Sequence, residues 1–599
     1  MAFQVRIIQG DREEEFEIEQ KLNLYDIINQ KGFKLTAYCG GEGTCKKCRV
    51  RLQPAPELKS IEKEIFSEKE KEQGLRLACL HQVDRDLEVK LDTEGDINVL
   101  TGTAEVEGRL NSGWRLVEFE TGKPQLDDQR SYLTRYLENT GSNTIADKVI
   151  RDIKALDSKV QKLKGVCCQE KLTELFSATA KKSLLGVAVD IGTTTLVLYL
   201  YNLETGEKLG VDSMYNPQKE FGADVISRIQ FANKSRENTE KLQQVLVERL
   251  NQGLLDLVDE AGARVDDIYR IAFAGNTTML HTLLGFDPID LAKSPFIPNF
   301  TEGLDLSPEL IGLKINSEAE LLVLPSISAY VGADIIADLL ATGVGENQEY
   351  ELLIDIGTNG EIALGNSSEI YTCSVAAGPS FEGSNISSGM AALAGAVEKF
   401  AIRPDSFDYQ TINAARPRGI CGSGLLDLIA GFLEIGVIGP KGKFNEMDKM
   451  PEFWQERFAE DEKEVIIFSE EAAVNKISLT QKDIRQLQLA KGAIRAGIEV
   501  LAARLDIKLA EIGKVYLVGG FANYLDPDNT ILTGMLPEIF EGKIIQFGNG
   551  SGAGASLYLL DRDLAEIVEQ LKERVKYIEL SKDADFQEKF IEELNFPGN

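Results

Sequence analysis

Four cysteines and a repeated aspartate turn are the residues in this sequence whose setting calls for chemistry. Cys39, Cys45, Cys48 and Cys79 follow the spacing C-x5-C-x2-C-x30-C. Three of these thiolates lie on one glycine-rich loop, YCGGEGTCKKC, and the fold must deliver the fourth. Such a set can enclose two bridged irons, a 2Fe-2S cluster. Gly40, Gly41 and Gly43 let the loop curl and aim amide N–H groups at the anionic sulfurs. A four-thiolate zinc site also uses a C-x2-C knuckle, but zinc ribbons usually present two, and here Cys79 stands alone. Lys46, Lys47, Arg49 and Arg51 make a basic patch beside the loop. It reads equally well as a landing surface for a redox partner and as a solvated strand face.

The aspartates come from an internal repeat. LGVAVDIGTTT, beginning at Leu185, reappears as LLIDIGTNG, beginning at Leu352, and each copy runs on into a second apolar stretch. Each D-I-G-T turn sets a carboxylate at a strand end, a glycine at the bend and hydroxyls beside free amides. Two such turns facing each other can hold nucleotide phosphates through Gly192, Thr193 and Thr194 on one side and Gly357, Thr358 and Asn359 on the other. Asp190 and Asp355 would then hold Mg2+, mostly through water. Ordinary β-turns are the plain alternative, but packing gives no reason to repeat turn chemistry. The phosphate-binding loop G-x4-G-K-S/T is absent. Downstream, VYLVGGFA places Gly519 and Gly520 at the end of a buried strand, before Phe521, where missing side chains admit a flat adenosine.

Around the cysteines, hydropathy predicts strands at Phe3 to Ile8, Glu15 to Ile18, Arg49 to Leu52 and Leu87 to Leu91. Short helices are expected from Leu24 to Gln30 and around Ile61 to Glu72, an order like that of a β-grasp domain spanning 1–95. Residues 96–125, rich in glycine and polar residues, read as a linker able to hold a strand pair. Helical spacing of Tyr132, Leu133, Tyr136, Leu137, Val149, Ile153 and Leu156 predicts a small helical or mixed domain over 126–183. From 184 to 599, short β-rich runs alternate with helical patterns, an α/β module whose second half starts near 348.

The longer first gap of the cysteine set resembles vertebrate-type ferredoxins and the bacterial ferredoxins that serve oxygenases. The order of DIGTT at Asp190, DIGTN at Asp355 and LVGGF at Leu517 resembles the phosphate-1, phosphate-2 and adenosine motifs of the acetate and sugar kinase, chaperone ATPase and actin superfamily. That resemblance implies two ribonuclease-H-like halves closing on Mg-ATP, with Asn276 of AFAGNTTM orienting water. It also puts a second connecting helix at AKGAIRAG, Ala490 to Gly497, whose small residues suit close packing at a hinge. The whole combination resembles the reductive activators of corrinoid proteins, supported by AAGPSFEG from Ala376, RGICGSGLL from Arg418 and FIEELNFP from Phe590. Some members of that family carry 4Fe-4S ligands near the C-terminus; no cysteine follows Cys421 here.

The family resemblance implies return of inactive Co(II) corrinoid to Co(I) by an electron from the 2Fe-2S cluster, driven by ATP. Plant-type clusters lie near roughly −400 mV, and each 59 mV uphill costs about 1.4 kcal/mol for one electron. If the acceptor lies a few hundred millivolts lower, a conformational cycle driven by ATP can supply the difference. The implied partners are a corrinoid iron–sulfur protein or a methyltransferase corrinoid subunit, together with a low-potential electron donor. A homodimer and an anaerobic setting are implied in the same way. Gly378 to Gly389 is expected either to face the corrinoid or to act as a hinge. Three other classes fit parts of the pattern: a redox-regulated nucleotide switch, a small-molecule kinase with an appended ferredoxin, and an activator of radical dehydratases.

Composition excludes more than it identifies. With 65 Lys and Arg against 96 Asp and Glu the net charge is −31, which disfavours nucleic acid and anionic membrane as partners. Residues 1–99 carry 16 against 20, so the acidity belongs chiefly to the remainder. The N-terminal residues turn acidic where a secretory signal would be apolar, and Asp334 and Asp338 interrupt the most apolar stretch. A cytoplasmic protein is expected. Cys167 and Cys168 read as helix packing, Cys373 and Cys421 as buried thiols. His81 reads as support for the cluster and His281 as packing or a cap.

Overall fold

Alternating apolar residues put one face of the N-terminal strands into a core, and the computed structural model pairs them as a five-stranded sheet. Its order is Arg12–Ile18, Phe3–Gln9, Leu87–Leu91, Arg49–Gln53, Leu75–Leu77. The helix Leu24–Gln30 covers the sheet, and Val5, Ile7, Leu24, Ile27, Ile28, Val50, Leu52 and Val89 form the core. The short strand Leu75–Leu77 is an addition to the expected set; three residues carry too little periodicity to be read in advance.

The structure describes the chain outside residues 1–2, 10–11, 19–20, 32, 34, 36–47, 67–70, 72, 92–107, 122–124, 157–161, 358, 378–382, 384, 460–462, 521 and 599. Cys39, Cys45, Lys46, Lys47, Thr358, Phe521 and half of the 378–389 loop therefore lie outside the described residues. The chain divides into two compact units. The first comprises Met1–Asp96 with Tyr215–Leu246, and the second Ile97–Met214 with Val247–Asn599.

Within the second unit a four-stranded sheet runs in the order Trp114–Glu120, Lys162–Cys168, Lys171–Ser177, Thr144–Ile145. The helices Tyr132–Thr140 and Asp147–Ala155 pack Tyr136 and Val149 against Phe119, Leu163, Leu172 and Leu175. The small domain is thus mixed. Trp114–Glu120 falls inside the stretch expected as linker, and Cys167 and Cys168 lie on a strand where helix packing was expected. Glu320 ties this sheet to its surroundings. It accepts from Trp114 Nε1 at 3.1 Å and Arg562 Nη1 at 2.6 Å, with Arg270 Nε 3.4 Å away. Burial first, then Glu320, pushes the Cys168 thiol up to about 12, which leaves it protonated.

The remainder is two halves with matching sheets. The first half is ordered Lys208–Tyr215, Thr195–Asn202, Leu185–Ile191, Ile268–Gly275, Glu320–Val323, Leu304–Leu306. The second is ordered Ile544–Gly548, Ile512–Val518, Tyr350–Ile356, Gly360–Gly365, Ile370–Val375, Val575–Tyr577. In each, the repeat forms an antiparallel hairpin flanked by a parallel strand. Asp190 pairs with Val197 and Ala274, while Asp355 pairs with Glu361 and Val518. The two aspartates thus hold equivalent places.

The helices Ala333–Thr342 and Gly550–Leu560 cross at close range. A Cβ on Gly554 would lie 2.5 Å from the carbonyl carbon of Ala337 and 2.6 Å from its Cα. Only glycine permits that approach. The 490–497 segment, expected at the hinge, belongs to the long helix Gln481–Arg504 and packs elsewhere. Gly497 faces Ile362 and Val375, and Gly492 faces the carbonyl of Glu593.

Candidate functional site

The cysteine pair within the described residues is assembled by sheet register. Arg49 pairs with Leu77, so Cys48 and Cys79 leave neighbouring strand ends together, and Ala78 N–H donates to the carbonyl of Cys48 at 2.8 Å. Their sulfurs are 3.2 Å apart. Two thiolates on one tetrahedral metal with bonds of roughly 2.3 Å would stand about 3.8 Å apart, so the pair fits ligands of a shared iron with a small adjustment. Asn23 Nδ2 donates to the Cys79 carbonyl at 2.8 Å and fixes that turn. His81 Nε2 is taken by buried Glu62, 2.9 Å away, which also accepts from the N–H groups of Leu77 and Lys59. Burial alone would raise the Glu62 carboxyl, but these hydrogen bonds outweigh it and hold it below the usual range. His81 therefore braces the turn.

The second cluster of chemistry lies where the two halves converge. Asp190 accepts from Asn549 Nδ2 at 2.8 Å and Ser551 Oγ at 2.9 Å. Thr193, in the turn after Asp190, accepts from Asn276 Nδ2 at 3.0 Å. Asn276 also caps the helix Thr277–Leu283, its side chain accepting from Met279 N–H at 3.0 Å. With its amide engaged by Thr193, Asn276 sits beside the first turn; water orientation is the role the sequence resemblance gave it. Gly192 and Thr194 complete that turn, and Gly357 N–H donates to the Asn359 carbonyl at 2.9 Å in the second. Gly519 has φ +100, and a Cβ there would overlap Asp355 Oδ1, so the Gly519 turn and the second aspartate are in contact. Gly520 beside it faces open space.

Five carboxylates lie within electrostatic reach of one another here: Asp190, Asp334, Asp338, Asp355 and Glu361. Asp190, Asp334 and Asp355 keep part of their surface accessible, while Asp338 and Glu361 are buried behind them. Burial, then repulsion from Asp334 and Asp190, pushes Asp355 up to about 8. Burial, then Asp190, pushes Asp334 up to about 7. Burial and the same neighbours drive Asp338 and Glu361 well above the ordinary carboxylate range. Neither oxygen of Asp338 has a hydrogen-bond partner. Among the described residues no three acidic, cysteine or histidine side chains converge as a ready-made cage. Mg2+ commonly keeps several waters and binds through one or two carboxylates plus phosphate oxygens rather than in an all-protein cage. An acidic cluster beside two D-I-G-T turns fits that mode of binding.

Asn549 and Ser551, together with Asp334 and Asp338, were not singled out from sequence. The glycine-rich run GNGSGAGA from Gly548 was the available signal, since small residues next to a capping asparagine mark a close helix approach. Further along the second half, Asp427 accepts from Asn529 Nδ2 at 2.7 Å and from Phe400 N–H at 3.2 Å, and burial pushes its carboxyl up to about 6. His281 donates from Nδ1 to the Thr277 carbonyl at 2.8 Å, while Nε2 accepts from Asn299 N–H at 2.9 Å. Burial pulls it down to about 4, so it is a neutral packing residue, as expected. Of the 378–389 loop, Ser387 N–H donates to Asp483 at 2.7 Å and Ser388 Oγ accepts from Ser478 N–H at 3.0 Å, which pins its C-terminal arm.

Fold and site together define a ferredoxin-type domain joined to an ATPase of the actin-like superfamily. Three family descriptions match: a 2Fe-2S iron–sulfur cluster binding domain over residues 7–84, the RACo middle region over 185–347, and the C-terminal ASKHA domain of RACo over 349–599. The corrinoid activation enzyme RamQ of Eubacterium limosum is 31% identical over 99% of this chain and its own full length. The Co(II) methylated-amine-specific corrinoid protein reductase of Methanosarcina barkeri is 27% identical over 69% of this chain and 77% of its own. A solved reductive activator for a corrinoid iron–sulfur protein superposes with a TM-score of 0.74 at 32% identity, covering 100% of this chain and 98% of that one. The chain belongs to the family of reductive activators of corrinoid proteins. Among the described residues no helix is long and apolar enough to cross a membrane.

Proposed function

We propose that this protein reactivates a corrinoid protein, returning oxidised Co(II) to Co(I) by one electron at the expense of ATP. The observation that carries the reading is the joining, in one chain of this family, of a paired Cys48–Cys79 turn with duplicated Asp190 and Asp355 turns. Cys39, Cys45, Cys48 and Cys79 hold the 2Fe-2S group, which when bound stores one electron and gives it up. Thr193, Thr194, Gly357, Thr358 and Asn359 grip the phosphates, with Gly519, Gly520 and Phe521 against adenosine. Asp190 and Asp355 orient hydrated Mg2+, and Asn276 holds the attacking water. The electron end occupies residues 1–95, the small domain 126–183 and the ATPase 184–599.

Two features support this division. The carboxylate cluster is short of positive charge, and the divalent cation that accompanies a bound nucleotide supplies it locally. The halves meet through two closely crossing helices, so a change at the phosphates can be read as a change in crossing. The acceptor is a corrinoid iron–sulfur protein or a methyltransferase corrinoid subunit, the donor a low-potential reductant, and the setting the cytoplasm. Asp190→Ala and Asp355→Ala are expected to abolish ATP-dependent Co(I) formation while leaving the cluster spectrum intact. Unchanged turnover in both would defeat the nucleotide assignment.

A further inference from the structure

Asp190 has an unusual dependence on one short segment. Its two carboxylate oxygens are taken by Asn549 Nδ2 and Ser551 Oγ, and these neutral groups are what counter the burial that raises its proton affinity. The two donors sit at the start of the helix Gly550–Leu560, where Asn549 is also the cap, its Oδ1 accepting from Gly552 N–H at 2.8 Å. Asn549 thus does two things with one amide: the oxygen starts the helix and the nitrogen holds Asp190. The same helix crosses Ala333–Thr342 at close range, with Gly550 against Asp338 and Gly554 against Ala337.

We infer that Asn549 and Ser551 are positioning residues through which the crossing of the 333–342 and 550–560 helices sets the orientation of Asp190 toward the metal–nucleotide complex. The inference rests on the proposal that Asp190 serves that complex. Residues that hydrogen-bond a metal-orienting carboxylate fix its rotamer and its charge, and their loss typically costs about 10–100-fold in metal affinity. A rigid link from the helix crossing to Asp190 makes Mg2+ capture sensitive to how the halves are set.

The test uses the full-length, cluster-loaded protein and steady-state ATP hydrolysis titrated with Mg2+. Ser551→Ala and Asn549→Ser are expected to raise the Mg2+ half-saturation by about 10–100-fold. Serine at position 549 keeps a good helix cap while removing the amide donor, so the two functions of Asn549 separate. Ser551→Thr, which keeps the hydroxyl, restores the wild-type value, and the melting temperatures of all three stay close to wild type. A merely structural role would lower the melting temperature without moving the Mg2+ requirement. Unchanged half-saturation in Ser551→Ala and Asn549→Ser, with Asp190→Ala inactive, overturns this inference alone. Full activity of Asp190→Ala overturns the nucleotide assignment and this inference with it.

Discussion

The crossing of the 333–342 and 550–560 helices can be probed with one methyl group. In Gly554→Ala the new Cβ would lie 2.5 Å from the Ala337 carbonyl carbon and 2.6 Å from its Cα, and nearer still to the carbonyl oxygen. Carbon atoms prefer separations of 3.5–4.0 Å, so relief requires roughly 1 Å of movement. The obstacles are backbone atoms, which cannot rotate away, so the helices themselves must part. Overpacking costs typically 1–3 kcal/mol, while alanine in place of glycine returns about 1 kcal/mol of helix propensity. The net loss of stability is therefore modest. Activity is affected more strongly, because Asp334 and Asp338 ride on one helix and the Asn549 and Ser551 that hold Asp190 ride on the other. A misplacement of 1 Å can cost about 100-fold in rate. The assay is kcat for MgATP hydrolysis beside a thermal melt of the same sample. A large fall in kcat with a small change in melting temperature is expected. Wild-type kcat would refute the role assigned to this crossing.

Three further outcomes follow from other parts of the structure. A Cβ at Gly520 meets nothing within 4 Å, so Gly520→Val should fold normally yet weaken nucleotide binding about ten-fold or more, roughly 1.4 kcal/mol, in an equilibrium titration. Cys79→Ser should remove the visible cluster absorbance while MgATP hydrolysis persists; a retained spectrum would exclude Cys79 as a ligand. Asp427 carries a carboxyl pushed up to about 6 when folded, against 3.8 as reference. The folded chain keeps that proton to higher pH than the unfolded one, so stability is greater below about pH 4 and declines as pH rises through about 6. Between about pH 5 and about pH 7.5 this amounts to about 1 kcal/mol, and Asp427→Asn should lack that decline in denaturant titrations.

How far the sequence reveals this molecule differs from part to part. The cysteine spacing and the D-I-G-T repeat were legible because turn chemistry is local: a bend needs its glycine, and a strand end displays its carboxylate. The β-grasp order was legible through period-two alternation in Phe3–Gln9 and Leu87–Leu91. Asn549, Ser551, Asp334 and Asp338 were not, because they reach Asp190 and Asp355 from remote helices, and nothing in the spacing of an interior helix announces what it faces. The small residues of 490–497 suggest a hinge, but small residues also let a helix lie flat on a sheet, as at Gly497 against Ile362 and Val375. The strand holding Cys167 and Cys168 was masked by a run of consecutive buried residues, Gly165 to Cys167, that breaks the alternation.

The most direct test of the account is an anaerobic absorbance measurement on the full-length protein with a reductant and a Co(II) corrinoid protein, run with and without MgATP. The Co(I) band is expected to grow in only when MgATP is present. Growth of that band at the same rate and to the same extent without nucleotide would contradict it.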